Sequence, residues 1–359
     1  MKILFLANMA EQFSGLRDAK TINSQMNCSA EGLSYPLNLL KELAQYADVK
    51  IYSPPVQRIV EYDSVPVKLP FMRPKKQKAI IPVMTDVEAL ARDVCPDVII
   101  QFVESIFPFL VNYEKAKCLR VLWFINGPNA AVTDPPVRKY IISKGADLII
   151  KSVDKSNKLV TSQILKDLGT EVVWLPFSID EDRFRNKMLN KVFDGANIGN
   201  LNPYTYLLRV KIYEFLLQQK NRFPNSEAFG EQYVNAINQS KIFFTCTGKY
   251  RYPIMKFYEV PACRTLLASD EPIDAEHLGF KSEENYVSLE KAWYPNVTAP
   301  QYPNVESEWT FNKKEFGDLL NYYLDSAEER ERLATNGEQL IRERHTDKIR
   351  AEQLYSLFS

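Results

Sequence analysis

Lys249, Arg251, Lys256 and Glu259 fall within one short segment, Lys249-Tyr-Arg-Tyr-Pro-Ile-Met-Lys-Phe-Tyr-Glu-Val-Pro-Ala-Cys-Arg-Thr-Leu-Leu-Ala268. The segment follows a strand-like run, Lys241-Ile-Phe-Phe-Thr245, and a turn at Thr247-Gly248. Pro253 is suited to open a helix, because a proline in the first turn has no N–H to leave unsatisfied. The free amides at such a helix start favour an anion. Lys249 and Arg251 precede that start, Lys256 is placed one turn inside, and Glu259 lies three residues further on the same face. Cations for a diphosphate and a carboxylate for sugar hydroxyls therefore converge at a strand–loop–helix junction, which is the chemistry of nucleotide-sugar recognition. Gly199-Asn200 is a second candidate, since a glycine after a strand lets backbone amides approach a phosphate. The competing readings are a solvated basic loop, an ordinary tight turn at Gly199, and a surface Lys256–Glu259 helix pair. The bulky apolar residues around Glu259 favour a partly buried carboxylate over a surface one.

These residues need elements to hold them. Apolar strand-like runs alternate with longer amphipathic segments, the pattern of parallel α/β layers. In the first half, strands are expected near Ile3–Leu6, Val49–Tyr52, Val98–Gln101, Arg120–Phe124, Leu148–Ile150 and Val172–Trp174. Helical patterns fall near Gly32–Gln45, Asp86–Asp93, Pro135–Lys144 and Lys155–Leu168, and residues 53–82 read as an irregular or hairpin excursion. Residues 176–190 are polar and lack sustained periodicity, so the boundary between two domains is placed there. The division is 1–175, a linker at 176–190, a second domain at 191–340 and a terminal helix at 341–359. The second domain restarts with a strand at Val192–Ile198 and a helix at Tyr204–Gln219, with a further strand at Thr265–Ala268. Residues 291–311 read as a loop, and two or three helices close the chain from Asn312.

Bulk properties narrow the function classes. A chain of 359 residues is long enough for two domains with cores of their own. Lys plus Arg and Asp plus Glu each total 45, so no global field recruits nucleic acid or an anionic membrane. Five dispersed cysteines without a C-x-x-C pair point to reduced thiols in a cytoplasmic compartment. The opening Met-Lys-Ile-Leu-Phe-Leu-Ala-Asn is too short for a signal-peptide core and reads as a buried strand. No apolar stretch approaches membrane-spanning length, so any membrane contact would be peripheral.

The Lys249–Ala268 segment resembles the donor-binding motif of glycosyltransferases of the GT-B fold, closest to the group that includes the spore-maturation protein CgeB. Other pieces fit in order: Val173-Trp-Leu-Pro-Phe-Ser-Ile-Asp-Glu-Asp-Arg-Phe184 resembles the interdomain segment, and Ala196-Asn-Ile-Gly-Asn200 the first strand and turn of the second domain. Gln232-Tyr-Val-Asn-Ala-Ile-Asn-Gln-Ser-Lys-Ile242 resembles the helix and strand before the donor site, and Glu343-Arg-His-Thr346 with Arg350 the terminal helix. The likeness is best from Leu148 onward. It implies two Rossmann-like domains with parallel sheets facing across a cleft and a last helix crossing back to the first domain. It also implies a nucleotide-diphosphate sugar as donor, UDP-linked among the family's donors, a hexose as the sugar moved, an acceptor of unknown kind (glycan, lipid, protein or modified DNA), and no metal or other cofactor. Lys249, Arg251 and Lys256 would neutralise the departing diphosphate, Glu259 would hold the nucleotide ribose, and Gly199 and Asn200 would approach the phosphates. Many retaining relatives carry a second glutamate eight positions before the first; here that position is Arg251, so the match covers the nucleotide half of the site better than the sugar half.

An inverting transfer needs a general base from the first domain. Both histidines, His277 and His345, lie in the second half, so carboxylates remain. Glu104, after the strand Val98–Gln101, is the first candidate and Asp134 the second, with Glu11 and Asp18 behind them; a plain helix-start carboxylate is the ordinary alternative for Glu104. Where relatives often carry an aspartate, this chain has Asn126. Asp180-Glu-Asp182 is better explained as the cap of a turn than as a metal motif, and His345-Thr346 as the end of one helix and the cap of the next. Tyr250 and Tyr252 could stack on a base, whereas core packing is the commoner fate of Phe257 and Tyr258. Two rivals stand beside the transferase. One is a glycosyltransferase whose acceptor is modified DNA, for which the cluster Arg73-Pro-Lys-Lys-Gln-Lys78 would supply phosphate contacts. The other is a catalytically inactive, glycosyltransferase-like binding protein.

Overall fold

The structure, a computed structural model, describes residues 1–6, 15–21, 36–63, 76–103, 110–124, 145–156, 160–167, 169–219, 223–224, 228–248, 251–295 and 309–359. In chain order the first layer system comprises β1 (Lys2–Leu6), β2 (Gly15–Asp18), α1 (Leu37–Leu43), β3 (Asp48–Ser53), β4 (Val56–Asp63) and β5 (Lys76–Pro82). It continues with β6 (Thr85–Asp86), α2 (Val87–Val94), β7 (Val98–Val103), β8 (Leu110–Val111), β9 (Leu119–Phe124), β10 (Leu148–Lys151), α3 (Val160–Asp167) and β11 (Glu171–Trp174). Seven of these strands form one sheet in the order β11-β10-β9-β7-β1-β3-β2. All neighbours are parallel except β2, which runs antiparallel to β3 at the edge. Ile3, Leu4, Phe5 and Leu6 are all buried, the two-sided apolar strand that a parallel sheet covered on both faces demands. Helix α2 starts where the Asp86 carboxylate accepts the Ala89 amide at 3.1 Å, and it ends at Cys95 in the left-handed region.

Several expectations shift in detail. The helix foreseen over residues 32–45 is Leu37–Leu43 within the described residues, and the one near 135–144 lies outside them. The excursion at residues 53–82 is a hairpin, β4 against β5, with an irregular register between Val56 and Arg58. A short parallel ladder joins β6 to β8.

The second layer system follows with β12 (Phe193–Ala196), α4 (Pro203–Leu216), α5 (Gly230–Asn238), β13 (Ser240–Phe244), α6 (Lys256–Ala262), β14 (Leu266–Ser269), α7 (Ala275–Leu278) and β15 (Val287–Ser288). Its four strands form a parallel sheet in sequence order, β12-β13-β14-β15. Residues 291–311, expected to be a loop, hold an antiparallel ladder at their ends: β16 (Trp293–Pro295) pairs with β17 (Trp309–Phe311). Trp293 stacks on Trp309 with centroids 5.2 Å apart, an aromatic cross-strand pair that periodicity does not reveal. Three helices close the chain, α8 (Lys313–Asp325), α9 (Ala327–Arg344) and α10 (Asp347–Ser356).

The last helix packs back onto the first layer system. Asn38 of α1 donates to Asp347 at 3.0 Å, and Tyr46 donates to Glu352 at 2.8 Å. Between the sheets, Phe177, Ile179 and Phe184 are buried, and Ile179 exchanges backbone hydrogen bonds with His345 and Asp347. Asp180 accepts the amides of Asp182 and Arg183 at 3.1 and 3.2 Å, capping a turn as its spacing suggests. Thr346 caps α10 by accepting the Ile349 amide at 3.3 Å. The four described cysteines are free thiols. Among the described residues no helix is long and apolar enough to cross a membrane.

Candidate active site

In open α/β sheets, ligands bind beyond the carboxyl ends of the strands, at the point where strand order reverses. In the first sheet that point is β1, with β7 on one side and β3 on the other. The segments after β1, β7 and β9 carry Glu11, Glu104, Asn126 and Asp134, all of which lie outside the described residues. Asp18 is described: it sits on the edge strand β2 and pairs with Lys50 at 2.8 Å, which holds its carboxyl below the usual range and marks a structural role.

The second sheet supplies the chemistry. Gly199 follows β12 with φ +139°, a conformation that disfavours a side chain. A Cβ placed there would lie 3.2 Å from both the Nζ of Lys256 and the Nη1 of Arg209. The bare backbone of Gly199 thus stands against two cationic groups at once. Asn200 spends its side chain on the local turn, where its Oδ1 accepts the Asn202 amide at 2.9 Å, while its carbonyl accepts Arg209 Nη1 at 2.9 Å.

Arg209 was not singled out by spacing, yet it is the second cation of the site. It is 2% exposed, rises from α4, and its guanidinium lies over the Tyr206 ring at 4.1 Å while also reaching Thr245 Oγ1 at 3.3 Å. Its hydrogen-bond acceptors here are neutral oxygens. The sequence signal was present: an arginine inside the apolar run Tyr204-Thr-Tyr-Leu-Leu-Arg-Val is a charge destined for burial, and buried charge is rarely idle.

Lys256 is half-buried, and its ammonium lies over the Tyr233 ring at 5.4 Å. Among the described residues it has neither a hydrogen-bonded acceptor nor an ion-pair partner. Enclosure first, then repulsion from Arg209, pushes its pKa down to about 8, with Glu259 pulling the other way. The helix α6 begins at Lys256, not at Pro253, so this lysine stands at the helix start where the sequence placed it one turn inside. Pro253 lies in the approach to the helix, just before the turn that the Phe257 amide closes on the Ile254 carbonyl at 2.9 Å. With only seven residues in the helix, side chains and not a long dipole supply the positive field.

Glu259 lies one turn on, half-buried, with Oε2 accepting the Tyr233 hydroxyl at 2.7 Å. Enclosure first, then the charge and hydrogen bond of Glu259, raise the Tyr233 hydroxyl well above its usual value, so the tyrosine stays protonated and keeps donating. Lys256, Glu259 and Gly199 are therefore brought together, and Arg209 joins them. Arg251 is otherwise engaged. Its guanidinium pairs with Glu290 at 2.8 Å, donates to the Glu271 carbonyl at 2.8 Å, and its backbone takes a left-handed φ of 53°. The expected convergence of Arg251 with Lys256 gives way to a structural ion pair. Lys249 and Tyr250 lie outside the described residues, Tyr252 packs against the core, and Phe257 and Tyr258 are buried in it. Among the described residues no group of His, Cys, Asp or Glu side chains is arranged to hold a metal.

Comparison with known proteins fits this arrangement. Residues 213–356 match the model of a glycosyl transferase-like family. Sucrose-phosphate synthase from Thermosynechococcus elongatus superposes with a TM-score of 0.61 at 10% identity, covering 99% of this chain and 98% of that one. HepE from Anabaena, solved in complex with UDP and glucose, gives 0.53 at 12% identity over 99% of each chain. A glycosyltransferase from Rickettsia africae gives 0.53 at 11%, covering 99% of this chain and 97% of that. No protein of curated function matches the sequence. The fold is GT-B: two Rossmann-like units with parallel sheets, joined by a last helix that returns to the first. The expected resemblance to GT-B glycosyltransferases holds, and nothing singles out the CgeB-containing group within them.

Proposed function

We propose that this chain is a glycosyltransferase that moves a sugar, a hexose in our reading, from a nucleoside-diphosphate sugar to an acceptor hydroxyl without a metal ion. The observation that carries the reading is the paired Lys256 and Arg209 against the bare backbone of Gly199, with Glu259 one turn away. Two cations without an ion-pair partner among the described residues, beside a side-chain-free backbone, suit two linked phosphates, and they can balance the charge that builds on the leaving diphosphate in place of a metal. Glu259, oriented by Tyr233, keeps Oε1 for a ribose hydroxyl. That HepE was solved with UDP and with UDP-glucose supports uridine as the first base to try. Glu104 and Asp134 remain our candidates for the base that deprotonates the acceptor, and Lys249 a further phosphate ligand. We place the protein in the cytoplasm, in keeping with free thiols at the four described cysteines.

The test is calorimetric titration with UDP, GDP and ADP, followed by donor hydrolysis with the matching sugar nucleotides. Tight binding of one nucleoside diphosphate and slow release of it from its sugar conjugate support the enzyme. Binding with no turnover, in the presence of candidate acceptors, assigns the inactive binding protein instead. No binding to any of the three removes the donor-site assignment.

A further inference from the structure

Residues 270–274 link the donor side of the second sheet to the first domain, and both ends of this short strap are fixed by buried carboxylates. At one end Asp270, 4% exposed, accepts the Thr247 amide at 2.8 Å and the Thr247 hydroxyl at 2.6 Å. Thr247 lies in the turn that leads from β13 towards Lys256. Two further bonds seam the strap to that turn: the Ile273 amide donates to the Arg251 carbonyl at 2.7 Å, and Arg251 donates to the Glu271 carbonyl. At the other end Asp274, 1% exposed, crosses to the first domain. Its Oδ2 accepts the Asp154 amide at 2.6 Å and its Oδ1 the Lys155 amide at 2.9 Å, a span of 120 residues in sequence.

The turn that Asp274 holds lies directly beyond the carboxyl end of β10. Asp154 has φ 59°, an uncommon conformation for a residue with a side chain, and one that presents successive amides towards one acceptor. Beside it, Ser156 Oγ and His277 Nε2 are 3.1 Å apart, and Lys155 lies over Trp174 at 5.1 Å. The contact is therefore a built junction: a single carboxylate takes two amide hydrogens, with an aromatic and a hydroxyl–imidazole contact flanking it.

We propose that Asp274 is a positioning residue that couples the donor turn to the docking of the first domain. This rests on the donor-site reading for its purpose, though the coupling itself stands on the geometry alone. The strap is only four peptide links long, at most ~13 Å when extended, and it is pinned along its length at Glu271 and Ile273, so few free dihedrals are left to absorb displacement at one end. Movement of Thr247 and Arg251 as a diphosphate settles against Lys256 is passed to Asp274, and hence to the turn at Asp154–Lys155. The first domain, which must bring the acceptor, is thereby set in register with the loaded donor.

Hydrogen exchange on the intact chain tests this, using two variants placed at opposite ends. Asp274→Asn replaces one accepting oxygen with an NH2 group, and Thr247→Val removes the hydroxyl donated to Asp270. In the ligand-free protein, Asp274→Asn is expected to speed exchange at the Asp154 and Lys155 amides at least tenfold, and at Thr247 and Ile273 at least threefold. Thr247→Val is expected to speed exchange at Asp154 and Lys155 at least threefold, although it leaves their acceptor untouched. Changes confined to the substituted end in both variants overturn the coupling. Should Asp274→Asn not fold, the Thr247→Val result alone decides. Adding UDP to the wild type should slow exchange at Asp154 and Lys155, and Thr247→Val should abolish that response while still binding UDP. If UDP binds and the response is identical in both proteins, the coupling is overturned. If no nucleoside diphosphate binds, the donor-site reading falls and the ligand-free exchange still judges the strap.

Discussion

Lys256→Met tests the site through its electrostatics. The ammonium has a pKa of about 8, so roughly nine-tenths of the molecules carry the charge at pH 7 and roughly one-tenth at pH 9. A phosphate's second ionisation lies near pH ~6, so roughly nine-tenths of UDP carries its full charge at pH 7 and nearly all does at pH 9, a change of about a tenth that barely alters the slope. If UDP binds the charged form, its apparent affinity falls about tenfold between pH 7 and pH 9, or ~1.4 kcal/mol. The sign follows from the direction of the shift: the bound anion raises the lysine pKa, so binding takes up a proton and weakens as pH rises. At pH 8 the uptake is about half a proton, visible as a dependence of the calorimetric heat on buffer ionisation enthalpy. In Lys256→Met the slope should vanish. At pH 7 the variant loses a charge-assisted contact worth ~1.5–3 kcal/mol, a loss of about 10- to 150-fold in affinity. Titration of UDP at pH 7, 8 and 9 into both proteins gives the answer. A wild-type affinity that stays flat, or a Met variant that keeps the slope, would refute the placement of the diphosphate on Lys256.

Three further outcomes follow from other parts of the structure. Glu259→Gln leaves the Tyr233 hydroxyl its partner but removes the charge offered to ribose; UDP is then expected to lose about tenfold in affinity and its advantage over 2′-deoxy-UDP, read by competition titration. Gly199→Ala forces a side chain into φ +139° and 3.2 Å from Lys256 and Arg209, so urea unfolding should show a loss of ~1–3 kcal/mol, with UDP binding weakened in the folded fraction. At the domain junction, burial raises Asp347 to about 7, so its contribution to stability is full below about 4 and is lost as pH rises to about 7. Burial and Arg350 lower His345 to about 3, so its contribution grows as pH rises from about 3 to about 6.5. The two oppose each other between pH 4.5 and 6.5. Asp347→Asn removes the first, and stability measured by urea unfolding should then rise with pH more steeply than in the wild type, by up to ~1.4 kcal/mol per pH unit; parallel profiles would discard this account.

Much of the scaffold could be read from residue patterns because parallel strands buried on both faces are continuous apolar runs. Ile3–Leu6, Val98–Gln101 and Leu148–Ile150 all lie within observed strands for that reason. The return of the last helix came from the family resemblance, and its residues meet the first domain through Asn38 and Tyr46. What escaped was set by contacts distant in sequence. Trp293 and Trp309 stack across a ladder that neither strand signals alone, and Pro253 stands ahead of a helix that begins only at Lys256. Asp274 carries no local signal, since its partners are amides 120 and 119 residues away.

The same limit explains the selection of cations. Spacing gathers Lys249, Arg251 and Lys256 as equals, but a phosphate site needs charges that the fold leaves unneutralised. Arg251 meets Glu290, so a ligand anion arriving there would have to displace an existing carboxylate and gain only the difference. Lys256 has enclosure and a like charge against its ionisation and no carboxylate within ion-pair distance among the described residues. A diphosphate bound there, as proposed, would offset both penalties at once, and the interaction would then be stronger than a surface pair of the same separation. Arg209, 2% exposed and held by neutral oxygens, likewise has no carboxylate within ion-pair distance among the described residues. A protein with 45 basic and 45 acidic residues can thus concentrate positive potential at one point, by leaving Lys256 and Arg209 side by side without an ion-pair partner among the described residues.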